Sequence, residues 1–313
     1  MSRSLAIVME EPKRLALRAV AMTSPGEDDV VVATEFSGVS TGTERLLYQG
    51  LMPTFPGMGY PLIPGYETVG RVIDAGVNAR HRIGSRVFVP GAHCFTDVHC
   101  VHGGAASRIV APAARVLTAP ANTDDDAILL ALAATALHAL ETASSSQGRV
   151  LIVGHGVLGR LLARLAAGDG RDVVVWETNA ARRDGAGGYR VLDPADDVRK
   201  DYNVIFDVSG DASLIDTLVG RLSRNGEIVL AGFYDRVSFA FPPAFMRHVK
   251  FSVAAQWADG DLARVGQMVE SGGLSLDGLV THRRPVADAK RAYEQAFADA
   301  DCLKMVLDWR DAS

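Results

Sequence analysis

The residues best placed to do chemistry are Gly154-His155-Gly156-Val157-Leu158-Gly159, which follow the apolar run Arg149-Val150-Leu151-Ile152-Val153. Leu158, Leu161, Leu162 and Leu165 then recur at helical spacing. This is a G-x-G-x-x-G turn between a buried strand and a helix, the context in which such a turn binds a dinucleotide. Gly154 permits the tight turn, Gly156 leaves room for a pyrophosphate, and Gly159 lets helix and strand pack closely. His155, Val157 and Leu158 complete the turn, where the free N–H groups of the helix start face the phosphate charge. A second strand, Asp172–Trp176, leads into Glu177, about twenty residues beyond the turn, where a carboxylate accepts the hydroxyls of an adenosine ribose. That carboxylate also repels a 2′-phosphate, so the expected cofactor is NAD. Arg182 and Arg183 argue for NADP, since a nearby arginine can hold the phosphate, but the acid stands at the strand end itself. Ligands of such sheets lie at the carboxyl ends of strands. Asp207-Val208-Ser209-Gly210 and Ala231-Gly232-Phe233 are therefore expected at the nicotinamide half, with Ser209, Gly232 and Phe233 lining it.

A turn of this kind needs a parallel sheet to hold it. Strand-like runs at 150–153, 173–176, 204–207, 228–231 and 251–255 alternate with helical stretches, the pattern of strands joined by crossover helices. Before them, up to about Pro120, the texture differs. Short β-like runs at 30–36, 69–75, 87–90 and 107–111 are broken by Gly and Pro, which suggests a compact barrel-like domain. A long apolar helix through Leu129, Leu130, Leu132, Ala133, Leu137 and Leu140 joins the two parts. Beyond 256 come helices near 261–271 and 287–298 and a last strand at 304–307. A strand so late can return to the first domain, leaving the parallel-sheet domain as an insertion. Pro242-Pro243 reads as an ordered loop outside any helix interior.

Composition narrows the class. At 313 residues the chain suits two domains, and 48% apolar with 22% charged residues describes a soluble globular protein. The net charge of −5, with no run of Lys or Arg, argues against a nucleic-acid partner. The apolar stretch near the N-terminus is too short for a signal peptide or a membrane span and reads as a first strand. Three cysteines, Cys94, Cys100 and Cys302, make no disulfide framework and fit a reducing cytoplasm. The cluster at 144–148 reads as a short loop.

Three further segments precede the glycine turn: Gly38-Val39-Ser40-Thr41-Gly42-Thr43-Glu44, Ile63-Pro64-Gly65-Tyr66-Glu67-Thr68-Val69-Gly70-Arg71-Val72 and Gly84-Ser85-Arg86-Val87. In this order, over essentially the whole chain, they resemble the medium-chain dehydrogenase/reductase superfamily. The resemblance implies an α/β fold with a GroES-like β-barrel catalytic domain and an inserted doubly wound Rossmann sheet, with substrate in the cleft between them. The expected boundaries are 1–125 and 257–313 for the catalytic domain and 126–256 for the NAD-binding domain. Zinc members of the family carry a Cys in the first segment and Gly-His-Glu in the second. Here Ser40 or Thr41 stands at the cysteine position and Tyr66 at the histidine, and a third ligand would fall near Ala131, which cannot coordinate. Glu67 alone survives and the run of four structural cysteines is missing, so no zinc is expected in either family site. His93, Cys94, His99, Cys100 and His102 lie within ten residues and suit zinc by type, but their spacing matches no closed site and reads as ordinary loop or strand.

Longer runs resemble one branch of that family. These are Phe55 through Glu67, Gly154 through Leu165, Val175 through Arg183 and Phe239 through Arg247. The branch comprises dehydrogenases of bacteriochlorophyll synthesis that act on a 3-(1-hydroxyethyl)bacteriochlorophyllide. It implies NAD-dependent oxidation of the C3 hydroxyethyl group to acetyl on a magnesium tetrapyrrole. Without zinc, side chains must orient the alcohol and take its proton. Tyr66 stands where a ligand would point into the site, either as a polar group or as a ring filling the vacated space. Glu67 could accept the proton or orient Tyr66, while Thr43 matches the family's proton-relaying hydroxyl and Ser40 could assist. Phe55, Met58 and Tyr60, with Phe233, Tyr234, Phe239, Phe241, Phe245 and Met246, are candidate walls of a broad apolar pocket, or core packing. One of His93, His99 and His102 could ligate the substrate magnesium. A homodimer is the family expectation. The competing readings are a zinc-free quinone or enone reductase and a non-catalytic NAD-binding redox sensor.

Overall fold

The computed structural model describes residues 2–144 and 148–312, so Ser145, Ser146 and Gln147 of the expected loop lie outside the described residues. The chain forms two compact units, Met1–Ala131 with Asp277–Ser313, and Leu132–Leu276.

The second unit is built on a parallel sheet. Its strands run in spatial order Arg190–Leu192, Asp172–Trp176, Arg149–Val153, Tyr202–Asp207, Leu222–Leu230 and Lys250–Val253. Val150 through Val153 are all buried, as a strand covered on both faces requires. Arg149–Val153 lies between Asp172–Trp176 and Tyr202–Asp207, so Gly154 opens at the point where the strand order reverses. The edge strand Arg190–Leu192 escapes the sequence reading because it has three residues and follows Gly185, Gly187 and Gly188.

Two expectations need correction. Pro242 and Pro243 belong to the helix Phe241–Arg247, not to a loop. They sit in its first turn, where backbone N–H groups have no partner in the helix and a proline ring is tolerated. The second unit also runs to Leu276 rather than to 256. Arg264 of the helix Asp261–Glu270 pairs with Glu141, His138 stands 3.5 Å from Asp261, and Arg164 donates to the Ser275 carbonyl at 2.7 Å. The first segment likewise reaches Ala131 instead of 125. The turn Asp125–Leu129 packs on the strands Asp29–Val39 and Thr68–Ala75, and Asp125 is ion-paired with Arg283.

The first unit is mainly antiparallel. Asp29–Val39 is its axis, pairing with Thr68–Ala75 on one side and with Arg108–Pro112 and then Met305–Asp308 on the other. Register sets Met305 opposite Val39 and Val306 opposite Gly38, which brings the end of the chain against the Gly38–Glu44 segment. The hairpin Ser2–Glu11 and Arg14–Met22 extends a smaller sheet with Leu62–Ile63 and His99–Cys100. Ile7, Met9, Val30, Leu62, Val87 and Met305 share one core. Among the described residues no helix is long and apolar enough to cross a membrane.

Candidate active site

The glycine turn is shaped for a phosphate. Gly154 has φ +109°, and a Cβ on Gly159 would fall 1.9 Å from the Gly154 carbonyl oxygen, so neither position admits another side chain without rearrangement. A Cβ on Gly156 would meet nothing within 4 Å, which leaves open space at the start of the helix Val157–Gly168. No side chain caps that helix, so its first N–H groups are free for an anion. Val157 and Leu158 open the helix, with Val157 buried beneath the turn.

Glu177 lies at the end of its strand, as the dinucleotide reading requires. Its carboxylate accepts from the His155 N–H at 3.1 Å and the Asn179 N–H at 2.8 Å, which fixes it against the turn. Arg183 is already committed: it donates to the carbonyls of Glu177 and Thr178 and pairs with Asp193. His155 is fully buried, with one ring nitrogen 2.6 Å from the Arg182 carbonyl and the other 2.9 Å from the Tyr189 hydroxyl. Burial pushes its imidazole down to about 4, so it holds the loop after Glu177 as a neutral ring.

At the neighbouring strand ends, Ser209 donates through its N–H and hydroxyl to one oxygen of Asp207. The other oxygen, Oδ2, is buried with no hydrogen-bond partner among the described residues, and burial raises this carboxyl above its usual range. The Asp207 carbonyl accepts from the Gly232 N–H at 3.0 Å and the Tyr234 hydroxyl at 3.1 Å, so Tyr234 is held by backbone. Phe233 is exposed beside it. Phe241 and Phe245 are 65% and 61% exposed with ring centroids 5.7 Å apart, forming an aromatic face with Met246 on that short helix. Of the residues expected as walls in the first unit, Phe55 is exposed, Met58 packs partly on the core, and Tyr60 donates to the Leu47 carbonyl.

The first unit brings its candidate catalytic residues together unequally. The Tyr66 hydroxyl donates to Ser40 Oγ at 2.8 Å, with Thr43 as a second hydroxyl neighbour. Burial, then the Glu67 charge, holds the phenol well above its ordinary range, which makes Tyr66 a donor and not a base. Glu67 does not orient Tyr66. It is fully buried, and its carboxylate pairs with Lys304, itself 1% exposed. A Cβ on Gly38 would fall 2.1 Å from Glu67 Oε2, so glycine there makes room for the pair.

A second buried carboxylate, Glu44, was not singled out from sequence. It accepts from the Tyr293 hydroxyl at 2.5 Å and the Ser40 N–H at 3.2 Å. Burial lifts Glu44 from 4.5 to about 7, with Glu67 raising it further and Tyr293, Ser40 and Lys304 opposing. Between those values the folded protein holds a proton the unfolded chain has released, so stability falls as pH rises across that window. Glu44→Gln, which keeps an oxygen for Tyr293, is expected to flatten this fall by about 2 to 3 kcal/mol between pH 5 and 8. Urea unfolding at both pH values measures it, and an unchanged slope would mean that Glu44 is ionised throughout.

Among the described residues no three His, Cys, Asp or Glu side chains are arranged to hold an ion. Cys94 is buried, accepts from the Val110 N–H at 3.3 Å, and is pushed by burial up to about 11. The family's zinc positions do not fit the metal either: Tyr66 and Ser40 bond to each other, Glu67 pairs with Lys304, and Ala131 is a buried methyl. His102, in contrast, lies against Tyr66, with ring centroids 5.1 Å apart. Its type was legible; its contact with Tyr66 was not, because 36 positions separate the two residues in the chain.

Residues 26–121 match the alcohol dehydrogenase GroES-like domain. The chain is 53% identical over 309 residues to 2-desacetyl-2-hydroxyethyl bacteriochlorophyllide A dehydrogenase of Rhodobacter capsulatus, covering 98% of each chain. It is 50% identical over 315 residues to the protein of the same name from Cereibacter sphaeroides, covering 98% of this chain and 99% of the relative. A solved structure from Escherichia coli CFT073, described as a short chain alcohol dehydrogenase complexed with NADH, superposes with a TM-score of 0.85 at 19% identity. It is covered in full by 98% of this chain, and the likeness shows the same fold.

Proposed function

Because the chain belongs to the medium-chain dehydrogenase/reductase superfamily, in the branch of the 2-desacetyl-2-hydroxyethyl bacteriochlorophyllide A dehydrogenases, we propose that it oxidises the hydroxyethyl group of a bacteriochlorophyllide to acetyl with NAD. The observation that carries the reaction type is the open, uncapped glycine turn with Glu177 fixed beside it. The substrate follows from the two near-full-length relatives.

When bound, NAD supplies the hydride acceptor. Gly154, Gly156 and Gly159 with the helix start would hold its pyrophosphate, Glu177 its ribose, and Ser209, Gly232 and Phe233 its nicotinamide half. Tyr66, whose one hydroxyl proton goes to Ser40 before substrate binds, turns that proton to the substrate oxygen as charge develops there, the service a zinc ion gives in other relatives. Lys304 neutralises Glu67 beneath Tyr66. The exposed Phe241, Phe245 and Met246 face offers a flat macrocycle an apolar contact. The strand Lys250–Val253 ends the parallel sheet with Val253 exposed, and we propose that a homodimer pairs there. The protein works in the cytoplasm on this reading.

Glu177→Ala is expected to weaken NAD binding about tenfold or more and to relax discrimination against NADP, since hydrogen bonds to a charged group are lost. Arg183, tied to two carbonyls and Asp193, gives the unaltered protein little to offer a 2′-phosphate. Tighter binding of NADP than NAD by the unaltered protein in a direct titration would contradict this role for Glu177. The functional reading itself is tested by mixing the protein, NAD and the hydroxyethyl pigment. A red-shifted acetyl pigment formed in step with NADH supports it, and no conversion refutes it.

A further inference from the structure

The alcohol proton has no acceptor among the residues first expected to take it. The Tyr66 phenol donates to Ser40 and is held above its usual range. Glu67 and Glu44 are 0% and 1% exposed, the first occupied by Lys304 and the second by Tyr293 and Ser40. Ser40 and Thr43 are alcohols as weakly acidic as the substrate. Beside Tyr66 there remains His102. Its ring meets the Tyr66 ring edge-on, at an interplanar angle of 67°. It is half-buried, and neither ring nitrogen has a hydrogen-bond partner among the described residues.

The backbone around His102 is built with some strain. His102 has φ +70°, a region that a histidine seldom occupies and that recurs at functional sites. The Ala92 N–H donates to the His102 carbonyl at 2.5 Å, and a Cβ on Gly91 would fall 2.4 Å from that oxygen, so the turn closes only over glycine. Burial lowers the imidazole below its ordinary 6.5, and the nearby His93 and Arg115 lower it further. The ring is neutral at neutral pH.

On the functional reading above, we propose that His102 is the general base of the oxidation. As the carbinol carbon gives its hydride to the nicotinamide, a ring nitrogen of His102 takes the hydroxyl proton. The O–H bond breaks, its electron pair becomes the carbonyl π bond, and an N–H bond forms. The resulting imidazolium releases its proton to water, so one alcohol and one NAD become one ketone, one NADH and one proton.

His102→Gln is expected to lower kcat about a hundredfold. Pigment affinity, titrated by absorbance without NAD, should change less than about threefold. The acid limb of the kcat profile, which in the parent falls as pH drops below 6.5 and the ring is protonated, should vanish, and free imidazole should restore part of the rate. A variant within about threefold of the parent, or one that keeps the acid limb, overturns the proposal. A second measurement needs no variant: histidine nitrogen NMR of the parent should show His102 titrating at the pH of the acid limb of kcat/KM, which reports the free protein, and a mismatch overturns the proposal equally. If the parent does not convert the pigment, the functional reading falls and the base with it; conversion by the parent with an unaltered variant removes only the base.

Discussion

Lys304→Met is expected to destabilise the protein by about 3 to 5 kcal/mol at pH 8, the cost of leaving a buried carboxylate without its counter-ion. Lys304 and Glu67 are 1% and 0% exposed, so water cannot replace the lost partner. Burial already pushes the Glu67 carboxyl upward, and Lys304 is the group that opposes it. The penalty should therefore shrink as pH falls and Glu67 takes up a proton. The double variant Glu67→Gln with Lys304→Met should recover most of the loss, because an amide and a thioether carry no charge to compensate. Denaturant unfolding of parent, single and double variants measures the cycle. A loss below about 1 kcal/mol for Lys304→Met at pH 8 would show that Glu67 is neutral in the fold.

Tyr66→Phe is expected to lower kcat about a hundredfold or more while leaving NAD affinity unchanged. Phenylalanine keeps the ring and its edge contact with His102, and removes only the oxygen that meets Ser40. If the ring merely fills space, the variant loses nothing. The effect should fall on kcat and kcat/KM together, since a bond to the developing alkoxide is made in the transition state. Ser40→Ala, which frees the Tyr66 hydroxyl without removing it, should cost less. Steady-state kinetics of both variants with the hydroxyethyl pigment decide it; an unchanged kcat for Tyr66→Phe would eliminate Tyr66 from the chemistry.

The cofactor half of the site is legible in the sequence because its demands are local. A turn that needs glycine at 154 and 159, open space at 156 and an acid at the next strand end writes all four residues within one strand-turn-helix-strand unit. The catalytic half is not local. Glu44 meets Tyr293 across 249 residues, and Lys304 reaches Glu67 only once Met305–Asp308 has paired with Asp29–Val39. Nothing about a lysine before a strand marks it as the partner of a distant buried acid. Glu44 lies in the Gly38–Glu44 segment, but nothing in that run marks its carboxylate as one that folding buries against a tyrosine. Pro242-Pro243 misled for a different reason: proline breaks a helix interior but suits its first turn.

In the proposed reaction the carbinol hydrogen of the pigment passes as hydride to NAD. Hydroxyethyl bacteriochlorophyllide carrying deuterium at that carbon, incubated with NAD and the purified chain in ordinary water, tests it by mass spectrometry of the reduced dinucleotide. Each turnover should yield one acetyl pigment and one singly deuterated NADH. Acetyl pigment formed without deuterium in NADH, or no reduced dinucleotide at all, would mean that the hydride of the pigment does not reach NAD on this protein.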